Sequence, residues 1–310
     1  MKTMLFAGTY TAKFSQGIYS FSFEDGRLSS SQLFCEIKNP KYLTKKDNCL
    51  ITVADFDYES GVALINAEGD IKNKIAFEKR TSCFITSEDD DIFTANYHTG
   101  VVTHLKLVKD ELKFINSIQI QDGAGCHQIL VFHDRILVPC LFLDRVFIFD
   151  RSLKKIGSIH FNANTGPRHG VFSKDGKYLY LVSELSNELF VIETNEWNII
   201  HQIPVLMSKE IHVRDTAVIR LSDDEKFIYV STRTKDVISV IELEDHKPTV
   251  IQTVSCGGKH PRDFILLDHY LLCANKNTNE VVSFKINDDG TLGKIVDRIE
   301  VPEVVALIQQ

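Results

Sequence analysis

An all-β chain closed into a seven-bladed propeller is the fold class this sequence predicts, and three observations carry the prediction. First, two apolar residues, a small residue and a polar one recur seven times, as "LFAGTY", "ITVADF", "FTANYH", "LVPCLF", "LVSELS", "YVSTRT" and "LCANKN". The small residues are Ala7, Ala54, Ala95, Pro139, Ser183, Ser231 and Ala274, so successive copies lie 47, 41, 44, 44, 48 and 43 residues apart. A period of ~40–50 residues is that of a propeller blade, one four-stranded sheet per copy. Second, each copy is flanked by further short strands. Third, the tail of the chain supplies the strand that the first copy lacks.

The strands follow in order along each repeat. Ahead of the core strand lies another short strand, often opened by Pro or Gly: "NPKYLT", "TSCFIT", "GCHQILVF", "GPRHGVF", "DTAVIRL" and "HPRDFILL". After it come turn residues and then alternating β-formers, as in "TGVVTHLKL", "NELFVIE", "DVISVIEL" and "NEVVSFKI". Turn chemistry such as "KDGK", "SDDEK" and "NDDGTL" punctuates the series. The first repeat, at "MLFAGTY", has no preceding inner strand. The C-terminal "VPEVVALIQQ" opens with a proline like the other inner strands, although "EVVALI" alone also suits a helix. Read as the inner strand of the first blade, it closes the ring and removes two sheet edges. No linker or shift of composition divides the chain, so residues 1–310 are expected to form one domain.

Composition narrows the partners. The hydrophobic share of 44% and charged share of 25% are ordinary for a globular protein. No apolar run is long enough to span a membrane, and the apolar start of "MKTMLFAGTYTAKF" is too short for a signal peptide, so a cytoplasmic location is expected. A net charge of −7 argues against nucleic acid, which needs a basic face. It leaves room for a small anion, because a few arginines in one cleft can bind it on an acidic protein. Seven cysteines form no C-x-x-C pair and eleven histidines form no metal-binding spacing, so neither structural zinc nor another metal is expected.

In a propeller the inner strands surround a channel, and two positions per blade converge on one rim. These are the first residues of the inner strand and the residues just past the small anchor. The first set is Lys41 and Tyr42, His127, Arg168 and His169, Arg262 and Asp263; the second is Asp55, Asn96 and Tyr97, Glu184, Arg233, Asn275 and Lys276. Taken singly, any of these is more often structural, and Arg168 with Glu184 suits an ion pair pinning blade to blade. As a group they exceed what one salt bridge needs.

The stretches "GCHQ", "GPRHGVFSKDGKYLYLVSELSN", "STRTKDVISVIEL" and "HPRDFILL" to "NDDGTL" resemble the seven-bladed lactonase family. That family includes propeller-type bacterial 6-phosphogluconolactonases and fungal carboxymuconate-lactonizing enzymes. The resemblance spans the chain and is most specific in "GPRH", the following "SEL" and the arginine of "STRT". It implies active-site positions at His127, Arg168, Glu184 and Arg233, with His169 completing "PRH". It also implies hydrolysis of 6-phospho-D-glucono-1,5-lactone to 6-phosphogluconate in the pentose phosphate pathway, without a cofactor. The chain departs from the family at "VPCLFLD", where Cys140 and Phe142 stand, and at "RTSCFIT".

Lactone hydrolysis needs a base for water, donors for the developing oxyanion and contacts that hold the ring. Glu184 and His127 are the candidate bases, with Glu184 favoured. Arg168 and Arg233 suit the oxyanion or an anionic tail, since a guanidinium stays charged and binds oxyanions in a fork. His169, Lys41, Arg262, Asn96 and Asn275 are the expected substrate contacts. Other signatures are poor. "GAGCHQ" lacks the third glycine of a dinucleotide loop, and "SLKK" at Ser152 lacks its partner motifs. Cys126 and His127 are strand neighbours pointing to opposite faces, which disfavours a thiol nucleophile. Two alternatives stand beside the assignment: action on another anionic lactone, by hydrolysis or cycloisomerisation, and a non-catalytic propeller that binds a partner. The sole tryptophan, Trp197 in "NEWNII", lacks the aspartate of Trp-Asp repeats.

Overall fold

The computed structural model describes residues 2–207 and 214–310. Its strands form seven antiparallel sheets, and in all but the first the strands run from channel to periphery in chain sequence. The second to fourth blades begin with the inner strands Leu43–Lys46, Phe84–Glu88 and Leu130–Phe132. The fifth to seventh begin with Pro167–Phe172, Thr216–Leu221 and Pro261–Leu267. In each, the next strand carries the small anchor: Cys49–Phe56, Asp91–Ala95, Arg135–Cys140, Tyr178–Ser183, Phe227–Thr232 and Tyr270–Asn275.

The reason for small anchors is packing. Six of the seven, all but Pro139, are 0% exposed, and Pro139 is buried as well. Strands in the middle of a blade are covered on both faces by neighbouring blades, so they read as apolar runs rather than as an alternation. Between the fifth and sixth blades, Tyr180, Val182, Leu189 and Val191 pack against Ile219, Ile228, Val230 and Ile241. Outer strands alternate instead, as Ile71–Glu78 does through its middle.

The tail is a strand, not a helix. Val304–Gln309 pairs antiparallel with Thr3–Thr9, placing Ala7 opposite Leu307 and Gly8 opposite Ala306. It is the innermost strand of the first blade, so the ring closes between the two ends of the chain. Two carboxylates secure it. Glu303 Oε2 accepts the backbone N–H groups of Lys13, Phe14 and Ser15 at 2.9, 2.9 and 3.2 Å. Asp263 Oδ2, from the last blade, accepts the N–H of Leu307 at 3.0 Å. Three anchor strands run straight into a single 3-10 turn: Leu141–Leu143, Arg233–Lys235 and Lys276–Thr278. No helix among the described residues is long and apolar enough to cross a membrane.

Candidate active site

The rim residues are aimed by irregularities in strand pairing. In the fifth blade Pro167 lies opposite Ser183 and His169 opposite Val182, which makes Arg168 an extra residue. The seventh repeats this, with Pro261 opposite Asn275 and Asp263 opposite Ala274, so Arg262 is the extra one. Such a bulge breaks the two-residue alternation and re-aims side chains. Arg168 and His169, and likewise Arg262 and Asp263, therefore both turn inward and line one small chamber. A proline can open each strand because the first residue needs no ladder N–H.

Glu184 sits one residue beyond the buried anchor Ser183, with its backbone N–H held by Gly166 O at 2.8 Å. Its Oε2 receives Arg168 Nε at 2.6 Å and Arg233 Nη2 at 3.0 Å. Arg168 also donates through Nη1 to the carbonyl of Ala217. Arg233, on the 3-10 turn of the sixth blade, donates to the Asp215 carbonyl at 3.1 Å and to its carboxylate at 3.2 Å. One carboxylate thus joins two blades and still faces the cavity. Burial alone favours its neutral acid, but the Arg168 and Arg233 cations outweigh that and hold Glu184 below the ordinary 4.5. It is an anion at neutral pH.

His127 Nδ1 lies 3.0 Å from His169 Nε2, and both rings are buried. Burial first, then the Arg168 cation, pushes each well below the usual 6.5. Both imidazoles are therefore neutral. A cavity of about 220 Å³ collects His127, Glu184, Arg233, Arg262 and Lys41 with Tyr10, Thr81, Cys83, Tyr97 and His98. That is small beside the roughly 300–1,000 Å³ of drug-sized pockets and suits one small ring. A wider mouth of about 520 Å³ shares Tyr10, Lys41, Thr81 and His98 with it. A larger groove, about 620 Å³, lies between outer strands of the fourth and fifth blades around Trp197, far from this cluster. Size alone does not locate the chemistry.

The family model for lactonases of the seven-bladed β-propeller type matches residues 4–308. The chain belongs to this family. It is 28% identical to a 6-phosphogluconolactonase of Bacillus subtilis, with 97% of each chain covered. A crystal structure of a protein from Lactobacillus plantarum superposes with a TM-score of 0.94 at 27% identity, covering 100% of both chains. The periplasmic gluconolactonase of Pseudomonas aeruginosa gives a TM-score of 0.90 at 19% identity, over 100% of this chain and 99% of that one, a likeness of fold alone.

The geometry sorts the residues expected of a lactonase. His127, Arg233, Glu184, Lys41 and Arg262 line the cavity, while Arg168 and His169 stand just behind it. Asn96 and Asn275 do not reach it. Asn96 is 0% exposed; its amide donates to Glu78 and to the Arg80 carbonyl, and its oxygen accepts the His98 and Thr99 N–H groups. Asn275 is equally buried and donates to the Cys256 carbonyl at 2.9 Å. Both hold turns, because an asparagine side chain satisfies nearby backbone groups where a strand ends. Tyr10 was not among the expected contacts. Burial would raise its hydroxyl, but Arg262, Lys41 and Lys276 together draw it below the ordinary 10.0. Its signal was its place just past the first anchor, in "GTYT".

Two buried neutral histidines make acid stability a testable property. As pH falls through about 6.5 the unfolded chain takes up protons at these residues while the folded one does not, so stability drops. Each contributes up to about 1.4 kcal/mol per pH unit. The melting temperature is expected to fall between about pH 7 and about pH 5.5, and less steeply in His169→Met. A slope unaffected by that substitution would count against a neutral buried His169.

Proposed function

We propose that this lactonase hydrolyses a phosphorylated sugar lactone, 6-phospho-D-glucono-1,5-lactone, to 6-phosphogluconate as a step of the pentose phosphate pathway. The observation that carries the reading is the division of cations around one cavity. Arg168 and Arg233 are committed to Glu184, and Arg233 to Asp215 as well. Arg262 makes no side-chain hydrogen bond or ion pair among the described residues. Among the described residues the Lys41 ammonium donates to the Thr81 carbonyl alone, at 3.1 Å. One end of the cavity thus offers an anion held between arginines, and the other offers cations with unused donors.

In this scheme the lactone carbonyl lies beside Glu184 and His127, and the phosphate lies toward Arg262 and Lys41. Glu184 takes a proton from water as it attacks the carbonyl carbon. The same carboxyl returns it to the ring oxygen as the ring C–O bond breaks. Because aldono-lactones open unaided, a base weakened by two arginines is sufficient. No cofactor and no metal enter the scheme. The seven cysteines are free thiols, which suits a reducing compartment, and we place the reaction in the cytoplasm. The reaction needs neither a membrane nor nucleic acid.

The test compares phosphorylated and plain gluconolactone as substrates, with spontaneous hydrolysis subtracted. Arg262→Met and Lys41→Met are each expected to lower the kcat/KM ratio of phosphorylated to plain lactone roughly 10–100-fold, the equivalent of one hydrogen bond to a charged group. Inorganic phosphate should compete weakly, and less at high salt. A ratio equal to the parent's in both variants would remove them as phosphate readers. No acceleration of either lactone by the parent would leave another anionic lactone or a binding role.

A further inference from the structure

The pair of neutral imidazoles fixes more than its own geometry. Only one proton can lie between His127 Nδ1 and His169 Nε2 at 3.0 Å, so one ring donates and the other accepts. If His127 donates, the proton of neutral His169 must sit on Nδ1. That atom is buried and has no hydrogen-bond partner among the described residues. If His169 donates instead, its Nδ1 is left as a bare lone pair. Orphaned buried N–H groups are rare in folded proteins. The second arrangement leaves the proton of His127 on Nε2, the free nitrogen of a ring that lines the cavity. Tyr97 keeps that ring in place, edge to face at 5.8 Å.

We propose that His169 is a positioning residue: its Nε2–H donates to His127 Nδ1 and fixes His127 as the tautomer that presents Nε2–H to the cavity. His127 is then a neutral hydrogen-bond donor and not a base. Resting on the lactonase reading above, its role is to stabilise the charge that forms on the carbonyl oxygen. When water attacks, the π pair of the carbonyl moves to that oxygen and meets the Nε2–H. The proton of water goes to Glu184. When the carbonyl re-forms, the ring C–O bond breaks and the ring oxygen takes the proton from Glu184. His127 keeps its proton throughout, as a donor of oxyanion-hole type does.

The deciding experiment is long-range proton–nitrogen NMR of the full chain carrying 15N-labelled histidine, assigned with His127→Gln and His169→Met. The expected spectrum shows His127 with a protonated Nε2 and a bare Nδ1, unchanged across the neutral range. A His127 protonated at Nδ1 would overturn the proposal. This measurement needs no substrate, so it stands or falls apart from the lactonase reading, which an inactive parent would defeat by itself.

Kinetics then test the role. His169→Met removes the donor and is expected to lower kcat about 10²-fold, the low end for losing one oxyanion contact, with little change in KM. His169→Gln restores an N–H within reach and should recover most of that loss. His127→Gln, which donates but has no basicity, should keep far more activity than His127→Leu. Equal loss in His169→Met and His169→Gln, or in the two His127 variants, would sink the donor role.

Discussion

Glu184→Gln is expected to reduce lactone hydrolysis by roughly 10²–10⁴-fold above the spontaneous rate, the range for losing one general base. The amide keeps the shape of the side chain but has no basicity. It also removes the charge that faces Arg168 Nε at 2.6 Å and Arg233 Nη2 at 3.0 Å. Breaking a buried pair from one side commonly costs about 3–5 kcal/mol, so the measurement has to separate folding from chemistry. Glu184→Asp does this, since it keeps the anion between the arginines but withdraws it by one methylene. The melting temperature should fall clearly in Glu184→Gln and little in Glu184→Asp, while both lose activity. If Glu184→Gln retained full activity and His127→Asn had none, the base would be His127. Glu184 would then be structural.

Deleting residues 301–310 is expected to abolish cooperative folding or to yield an aggregating protein. Val301, Val304, Val305 and Leu307 are all buried. At roughly 1.5–3 kcal/mol for each such side chain, their loss alone approaches the whole stability of a typical domain, about 5–15 kcal/mol. The deletion also opens the ladder edge of Thr3–Thr9 and leaves Asp263 Oδ2 without the Leu307 N–H. Exposed edges invite pairing with other chains. Circular dichroism melts and light scattering decide the matter. A truncated chain with the parent's melting curve would show that the closing strand is dispensable.

The blade count and the closing strand were legible because they rest on burial, which writes itself into residue type. Ala7, Ala54 and Ala274 are small since neighbouring blades cover them on both faces, and that demand recurs at every blade. The gathering of Arg168, Glu184 and Arg233 was legible for a related reason: a rim position follows from counting past the anchor. What each residue does there was not legible. Asn96 and Asn275 occupy the same position in their blades as Glu184, yet their amides close turns. Whether a polar side chain at that point turns inward or back onto the backbone depends on local partners. The bulges were hidden as well. Pro167 and Arg168 read as an ordinary strand start, and only the pairing with Ser183 and Val182 reveals the extra residue. Nor could the spacing of 42 residues between His127 and His169 disclose that their rings touch.

Because Thr3–Thr9 is completed by Val304–Gln309, the order of synthesis matters to this protein. The first strand leaves the ribosome about 300 residues ahead of its partner. At about 5–20 residues per second, the interval is roughly 15–60 s. Throughout that time the first blade presents an unpaired edge, and the last blade has no neighbour on its far side. Blades in between can stack as they emerge, but none can share in a closed ring. Cotranslational folding can therefore build an open arc, and the rim, whose lining runs from Tyr10 to Arg262, is assembled only once Val304–Gln309 has emerged.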